Sequence, residues 1–130
     1  MNEAIKQYQR TQVLTASEVQ LIVLLYDGVL QSLELAREGI LRNDYRDKAR
    51  FLGRAIAIVS ELSNVLDMER GKEIAASLRR LYDYMLEEFT QANLRHDVKH
   101  LDGPIRCLTT LRDAWQTLAQ QGAMAAVVGA

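Results

Sequence analysis

The sequence has a single cysteine, Cys107, and a single proline, Pro104. One cysteine cannot form an internal disulfide, so the chain does not have the signature of a secreted disulfide scaffold. It also lacks a run of about 18 apolar residues, which a transmembrane helix needs. The N-terminus carries charges throughout and has no apolar segment typical of a signal peptide. These absences predict a cytoplasmic protein without stable membrane insertion.

The sequence has no strong excess of charge, because 16 basic and 17 acidic residues give a net charge of -1. Binding of phosphates needs a basic surface, so nucleic acid is not expected as the main ligand. Catalytic motifs are also scarce: there is no glycine-rich phosphate loop, no G-x-S-x-G turn and no zinc-ligand spacing. We therefore expect no enzyme and no cofactor.

Two histidines, His96 and His100, are spaced four apart and flank Asp97. A di-iron bundle needs two Glu-x-x-His motifs on separate helices, which this chain does not have. The favoured interpretation is that these are turn and surface histidines, with Asp97 as a helix N-cap. A metal enzyme using these three residues is the minor alternative. Cys107 is expected to pack at the edge of an apolar helix face.

The residues that are abundant are strong helix formers, and strands are hard to place. The apolar periodicity predicts an all-α protein with helices at about 17–41, 45–66, 72–95 and 98–121. Short turns between them predict an antiparallel up-down four-helix bundle. A short N-terminal segment, residues 1–16, precedes the bundle, and an apolar tail, residues 122–130, follows it. Pro104 predicts either a kink in the fourth helix or a helix that starts beside it.

The first predicted helix contains six consecutive apolar residues, Leu21 to Tyr26. They cover every side of a helix, whereas a surface helix needs an apolar stripe of only about 100°. We expect the side with Ile22, Tyr26 and Val29 to be core. The side with Leu21, Leu24 and Leu25 should lie near a surface that a client or a chain terminus covers. Gly28 and Ser32 are small and would let a neighbouring helix approach closely.

The second predicted helix also has more apolar surface than one face requires. Its two stripes together span an arc of about 200°. They consist of Tyr45, Ala49, Leu52, Ile56, Val59 and Leu66, and of Phe51, Ala55, Ile58, Leu62 and Val65. The third helix has a narrower inward stripe that begins at Ile74. Tyr84 lies nearly opposite that stripe and is a possible surface contact.

Excess apolar surface on helices marks a binding site for another helix or for a second copy of the chain. Six residues that lie off the strict core stripes are predicted to line this groove, although each of them could belong to the core instead. They are Leu24, Leu25, Phe51, Ile58, Leu62 and Val65. The physical argument leaves two alternatives, a client-binding bundle and a bundle that only self-associates.

Several motifs, in order along residues 7–118, resemble one family. They are Gln7-Tyr8, Val13-Leu14-Thr15-Ala16-Ser17, Leu24-Leu25-Tyr26-Asp27-Gly28, Leu66 to Ala75, Leu81-Tyr82-Asp83-Tyr84-Met85, Gln91-Ala92-Asn93-Leu94 and Leu111-Arg112-Asp113-Ala114-Trp115. The family is that of the flagellin-specific export chaperones of bacterial flagella, the FliS family. Two departures are Lys72, where a second glycine is usual, and Gly103-Pro104 in the fourth helix.

The resemblance implies a small cytoplasmic four-helix bundle without enzymatic activity. Its client would be the disordered C-terminal region of flagellin, which becomes helical on the chaperone. The family's role implies prevention of premature polymerisation and delivery to the flagellar type III export gate at the membrane. An N-terminal segment can cover part of the client surface, so Ile5 and Tyr8 are candidates for a switchable cap. A homodimer in the free state is a further possibility.

Overall fold

Four α-helices form the regular structure of residues 16–121, the part of the chain that this computed structural model describes, with side chains from Glu18 onward. They are α1 (Ala16–Leu41), α2 (Tyr45–Asn64), α3 (Met68–Arg95) and α4 (Lys99–Gln121). Three-residue turns make consecutive helices antiparallel, and α4 packs back against α1 to close the ring. The predicted all-α four-helix bundle is confirmed.

Each turn between helices contains an aspartate whose side chain accepts a hydrogen bond from a backbone N–H at the start of the next helix. Backbone N–H groups donate to a side-chain oxygen of Asp44 at 3.0 Å, of Asp67 at 3.0 Å and of Asp97 at 2.9 Å. These bonds satisfy N–H groups that have no partner within the helix itself. The caps Asp44 and Asp67 account for where α2 and α3 begin, and Asp97 makes a similar contact one residue before the turn meets α4.

The third helix differs most from its predicted bounds. It begins at Met68, four residues earlier than expected, and is interrupted at Lys72, whose φ of 49° and ψ of -122° are not helical. Non-glycine residues adopt this conformation only at an energetic cost. Ile74 follows the interruption and is 62% exposed, so the prediction that it faces the core is wrong.

The core of the bundle contains the predicted side of α1, since Ile22, Tyr26 and Val29 are at most 7% exposed. In α2 the buried line runs between the two predicted stripes. It consists of Lys48, Leu52, Ala55, Val59 and Leu62. Tyr45, at the start of one predicted stripe, is instead 60% exposed.

Lys48 is buried because its charge has partners at the end of the bundle. Its Nζ donates to the carbonyl of Asn93 at 3.1 Å and lies 3.1 Å from Nδ1 of His96. The ring of His96 stacks on Tyr45, and its Nε2 lies 2.7 Å from the side-chain oxygen of Asn43. This cluster joins the start of α2 to the end of α3.

Helix α1 is long and apolar. By length and composition, α1 could cross a membrane over Glu18–Leu41, with a mean hydropathy of 1.4. Its apolar face is packed in the core of the bundle, and the core helix of a bundle can have the same length and composition as a membrane-spanning helix.

Helix α4 runs from Lys99 to Gln121 through Pro104, which is buried. Leu101 N–H bonds the carbonyl of Val98 at 2.9 Å in the turn that opens this helix.

Candidate interaction surface

Three consecutive residues of α1 contact the three other helices. The hydroxyl of Tyr26 lies 2.5 Å from that of Tyr82 in α3. Asp27 accepts hydrogen bonds from Nε of Arg112 in α4 at 2.8 Å and from its NH2 group at 3.4 Å. Successive side chains leave a helix about 100° apart, which allows this threefold contact.

Gly28 provides the third of these contacts, toward α2. A Cβ atom at this position would lie 3.3 Å from Cδ1 of Ile58, so the small residue lets α2 pack closely. Ser32, one turn later, is buried, and its hydroxyl donates to the Gly28 carbonyl at 2.8 Å. The close approach of a neighbouring helix is therefore observed at Gly28. The Tyr26-Asp27-Gly28 motif thus contacts all three other helices.

The two phenols at the centre are neutral and poorly hydrated. Burial raises the pKa of Tyr26 and the pKa of Tyr82 above their ordinary value. A phenolate would lose its hydration in this site, which explains the direction of both shifts. The pair thus contributes a neutral hydrogen bond between α1 and α3, which face each other across the core.

The apolar surface expected from the sequence lies along the line where α1 and α2 meet. Gly28 faces Ile58, and because the helices are antiparallel, Leu21 and Leu24 lie toward the Leu62–Val65 end of α2. Residues spaced by seven share one side of a helix. The α1–α2 seam is defined here by Leu21, Leu24, Leu25, Phe51, Ile58 and Val65.

Exposure divides the six predicted groove residues. Leu24 is 57% exposed and Val65 39% exposed. Three others are half-buried at the edge of the core: Leu25, Phe51 and Ile58. Leu62 is only 3% exposed, because it lies on the buried line of α2. Its placement in the groove is therefore wrong, whereas Leu21, 57% exposed, extends the surface by one turn.

A second apolar surface lies between α3 and α4, where a groove has a volume of about 430 Å³. Tyr84 is 44% exposed and lines this groove, with its hydroxyl directly against Gly103. Cys107 is half-buried at the same place. Sequence reasoning marked Tyr84 as a surface contact but did not connect it to Gly103. The signal was the glycine itself, since a side chain at position 103 would collide with Tyr84.

The two histidines have different partners and do not converge. His96 contacts Lys48 and Asn43 through its two ring nitrogens. His100 Nδ1 lies 3.1 Å from a carboxylate oxygen of Glu88. Within residues 16–121, no group of three His, Cys, Asp or Glu side chains could hold a metal ion. The arrangement gives Asp97, His96 and His100 separate structural roles.

Two predicted features lie outside the described part of the chain. Ile5 and Tyr8, the candidates for a switchable cap, precede residue 16, and the apolar tail begins at residue 122. Their contacts with the surfaces described above stay predictions.

Comparison with known proteins decides the family. The family model described as flagellar protein FliS matches residues 1–122. This chain belongs to the FliS family. The flagellar secretion chaperone FliSB of Pseudomonas aeruginosa is 36% identical over 121 residues, which is 90% of this chain and 96% of that protein. The flagellar secretion chaperone FliS of Salmonella typhimurium is 38% identical over 108 residues, 82% of this chain and 80% of that protein.

A third FliS relative, from Bacillus subtilis, is 35% identical over 113 residues, 87% of this chain and 84% of that protein. A solved structure described as a flagellar chaperone from bacteria shares the fold, with a TM-score of 0.76 over 92% of this chain and 97% of that chain. Its sequence identity is 19%. The FliS relatives are named as secretion chaperones, a non-enzymatic role in flagellar export.

Proposed function

We propose that this FliS-family chaperone binds the disordered C-terminal region of flagellin along the α1–α2 seam. The observation that carries the proposal is the pair of exposed leucines, Leu21 and Leu24, beside a closely packed line of half-buried apolar residues. A contiguous apolar surface rimmed by polar residues is typical of a partner site. Its helical spacing suits an amphipathic helix that docks with residues three and four apart.

The seam offers the client a modest energetic gain at each contact. Burying a leucine fully contributes roughly 1.5–3 kcal/mol, so each half-exposed leucine contributes about 1 kcal/mol when the client covers it. A client that is disordered when free must also be ordered on binding, which opposes this gain. Several such contacts in a row are therefore needed, and the complex can still dissociate during export.

The seam is favoured over the α3–α4 groove as the main client site. The seam carries two leucines that are each 57% exposed. In the α3–α4 groove the exposed aromatic, Tyr84, already packs against Gly103. A client that wraps the bundle would use this groove as a second contact. Ile74 is a further exposed apolar residue of α3.

Delivery is the second part of the proposal, and membership of the FliS family supports it. By binding flagellin in the cytoplasm, the chaperone prevents premature polymerisation and brings its client to the flagellar type III export gate. Ile5 and Tyr8 are the candidates for a switchable cap that would cover the seam until the client binds. A homodimer in the free state would cover the same apolar surface and compete with the client.

The test is a calorimetric titration with a peptide of the flagellin C-terminal region, with circular dichroism followed in parallel. We expect binding at micromolar concentrations and a gain in helicity beyond the sum of the two components. Sedimentation of the free chaperone measures its oligomeric state and so tests the alternative, in which the bundle only self-associates. A tight dimer with no peptide binding would contradict the proposal.

A further inference from the structure

Three arginines form a row on the outer face of α2. Arg46, Arg50 and Arg54 follow one another at four-residue spacing, and all three side chains are exposed. Residues four apart lie on the same side of a helix. The row spans about 12 Å at 1.5 Å per residue. All three basic residues of the row are arginines. The lysine of α2, Lys48, is buried and lies on another side of the helix.

No carboxylate within residues 16–121 pairs with any of these three arginines. The nearby acidic residue of α2, Asp47, lies 3.8 Å from Arg42 instead. Arg50 contacts the ring of Phe51, with its guanidinium carbon 5.1 Å from the ring centre. Like charges four residues apart destabilise a helix. The row is therefore a cost to the free protein, in a chain whose net charge is -1.

A line of small residues runs beside the arginines on the same outer face. Ala49, Gly53 and Ala57 are all exposed, again at four-residue spacing. A Cβ atom placed on Gly53 would have no neighbour within 4 Å, so nothing in the described bundle requires a glycine there. Small side chains let the backbone of another helix come close. The arginine side chains would then lie along one side of the docked helix.

We propose that this face of α2 docks an acidic helix of a partner protein, one that carries carboxylates at four-residue spacing. The guanidinium group binds carboxylates through two parallel hydrogen bonds, which favours arginine over lysine for such a contact. Glutamates spaced by four repeat about every 6 Å, which matches the row. The occupant is selected by charge complementarity and by the room that the small residues leave.

An anionic membrane fits this face less well. A helix that lies on a membrane presents large apolar side chains next to its basic residues. Between Arg46 and Arg54, the exposed residues on the outer face are the arginines, Ala49 and Gly53. A lipid surface also imposes no four-residue spacing. The contact goes beyond flagellin binding, since it uses charges on the outer face of α2 and not the apolar seam.

The experiment uses the full chain and two designed peptides of identical composition. One peptide is a helix of alanines with a glutamate at every fourth position, and the other has the same glutamates distributed around the helix. Amide chemical shifts are followed at low ionic strength. We expect the aligned peptide to bind about tenfold more tightly, as three weak surface pairs would give. The shifted amides should centre on residues 46–57, and about 0.5 M salt should abolish the binding.

Charge reversal gives the second arm. The double variant Arg50→Glu, Arg54→Glu should lose the aligned glutamate peptide and bind the matching lysine peptide. Binding of the lysine peptide shows that the variant is folded. Equal affinity of the wild type for the two glutamate peptides would overturn the proposal. So would binding to phosphatidylserine vesicles or to single-stranded RNA with no preference between the peptides.

Discussion

Tyr26 and Tyr82 place their hydroxyl oxygens 2.5 Å apart at the centre of the bundle, where the two residues are 0% and 2% exposed. They belong to α1 and α3, which are not neighbours around the ring. This hydrogen bond is therefore a direct polar link across the core. Asp27 and Gly28, which follow Tyr26 in the same turn of α1, contact α4 and α2. This one turn therefore contacts all three other helices.

Removing one hydroxyl of this pair should lower the free energy of unfolding by more than the net contribution of one hydrogen bond. Tyr26→Phe leaves the Tyr82 hydroxyl buried without its partner, which costs about 1–3 kcal/mol. After Tyr82→Phe the Tyr26 hydroxyl keeps Trp115 as a partner, so this variant should lose less. The double variant removes both hydroxyls, so its loss should be smaller than the sum of the two single losses by about 1 kcal/mol. Urea unfolding of the four proteins measures this coupling. Strictly additive losses would show that the two hydroxyls do not interact.

The raised pKa values of the same phenols predict a loss of stability in alkali. The unfolded chain releases their protons near pH 10, whereas burial keeps both phenols protonated in the folded state. Their contribution is thus complete below about pH 10, and above it the free energy of unfolding falls by up to about 1.4 kcal/mol per pH unit for each phenol. Unfolding titrations between pH 8 and 11 check this. The double phenylalanine variant serves as the control, and a curve as steep as the wild type's would refute the assignment.

The backbone at Lys72 predicts a stabilising substitution. Its φ of 49° and ψ of -122° suit glycine, so Lys72→Gly should raise the free energy of unfolding by about 1 kcal/mol. Glu73→Gly, one residue further into the helix, is the matched control and should lower it by about 1 kcal/mol. Thermal unfolding of both variants decides the matter. If Lys72→Gly is as destabilising as the control, the backbone strain at Lys72 is not real.

Two glycines predict opposite effects of alanine. At Gly39 a Cβ atom would lie 2.8 Å from the backbone nitrogen of Lys48, so Gly39→Ala should force α1 and α2 apart and cost about 1–3 kcal/mol. At Gly53 the space is open, so Gly53→Ala should stabilise α2 by about 1 kcal/mol. The two melting temperatures should move in opposite directions. A rise for Gly39→Ala would contradict the close packing at Gly39, and a fall for Gly53→Ala would contradict the open space at Gly53.

Apolar periodicity was sufficient to predict four helices but not the rotation of α2. Its two apolar stripes are equally good by pattern, and the buried line runs between them through Lys48. The buried ammonium group of Lys48 donates a hydrogen bond to the Asn93 carbonyl and lies within hydrogen-bond distance of His96 Nδ1. Those partners come from the end of α3 and cannot be found from α2 alone. The same ambiguity explains why Leu62 was expected in the groove although it is core.

The surface features of the other helices were also predicted only in part. The excess apolar residues of α1 correctly indicated an exposed side with Leu21 and Leu24. The interruption at Lys72 coincides with the predicted start of the third helix, whereas the helical turn that precedes it from Met68 was not predicted. Lys72 has a positive φ, and Ile74, two residues later, is exposed. Tyr84 and Gly103 meet only through the packing of α3 on α4, which pattern does not fix.

The central claim, that the α1–α2 seam receives flagellin, is tested most directly by a matched pair of exposed leucines. Leu24 lies in the seam and is 57% exposed, whereas Leu94 lies near the end of α3 and is 73% exposed. Calorimetry should show that Leu24→Gln weakens binding of the flagellin C-terminal peptide about tenfold, as loss of a buried contact does, while Leu94→Gln leaves it unchanged. Equal affinities of the two variants would contradict the seam as the client site.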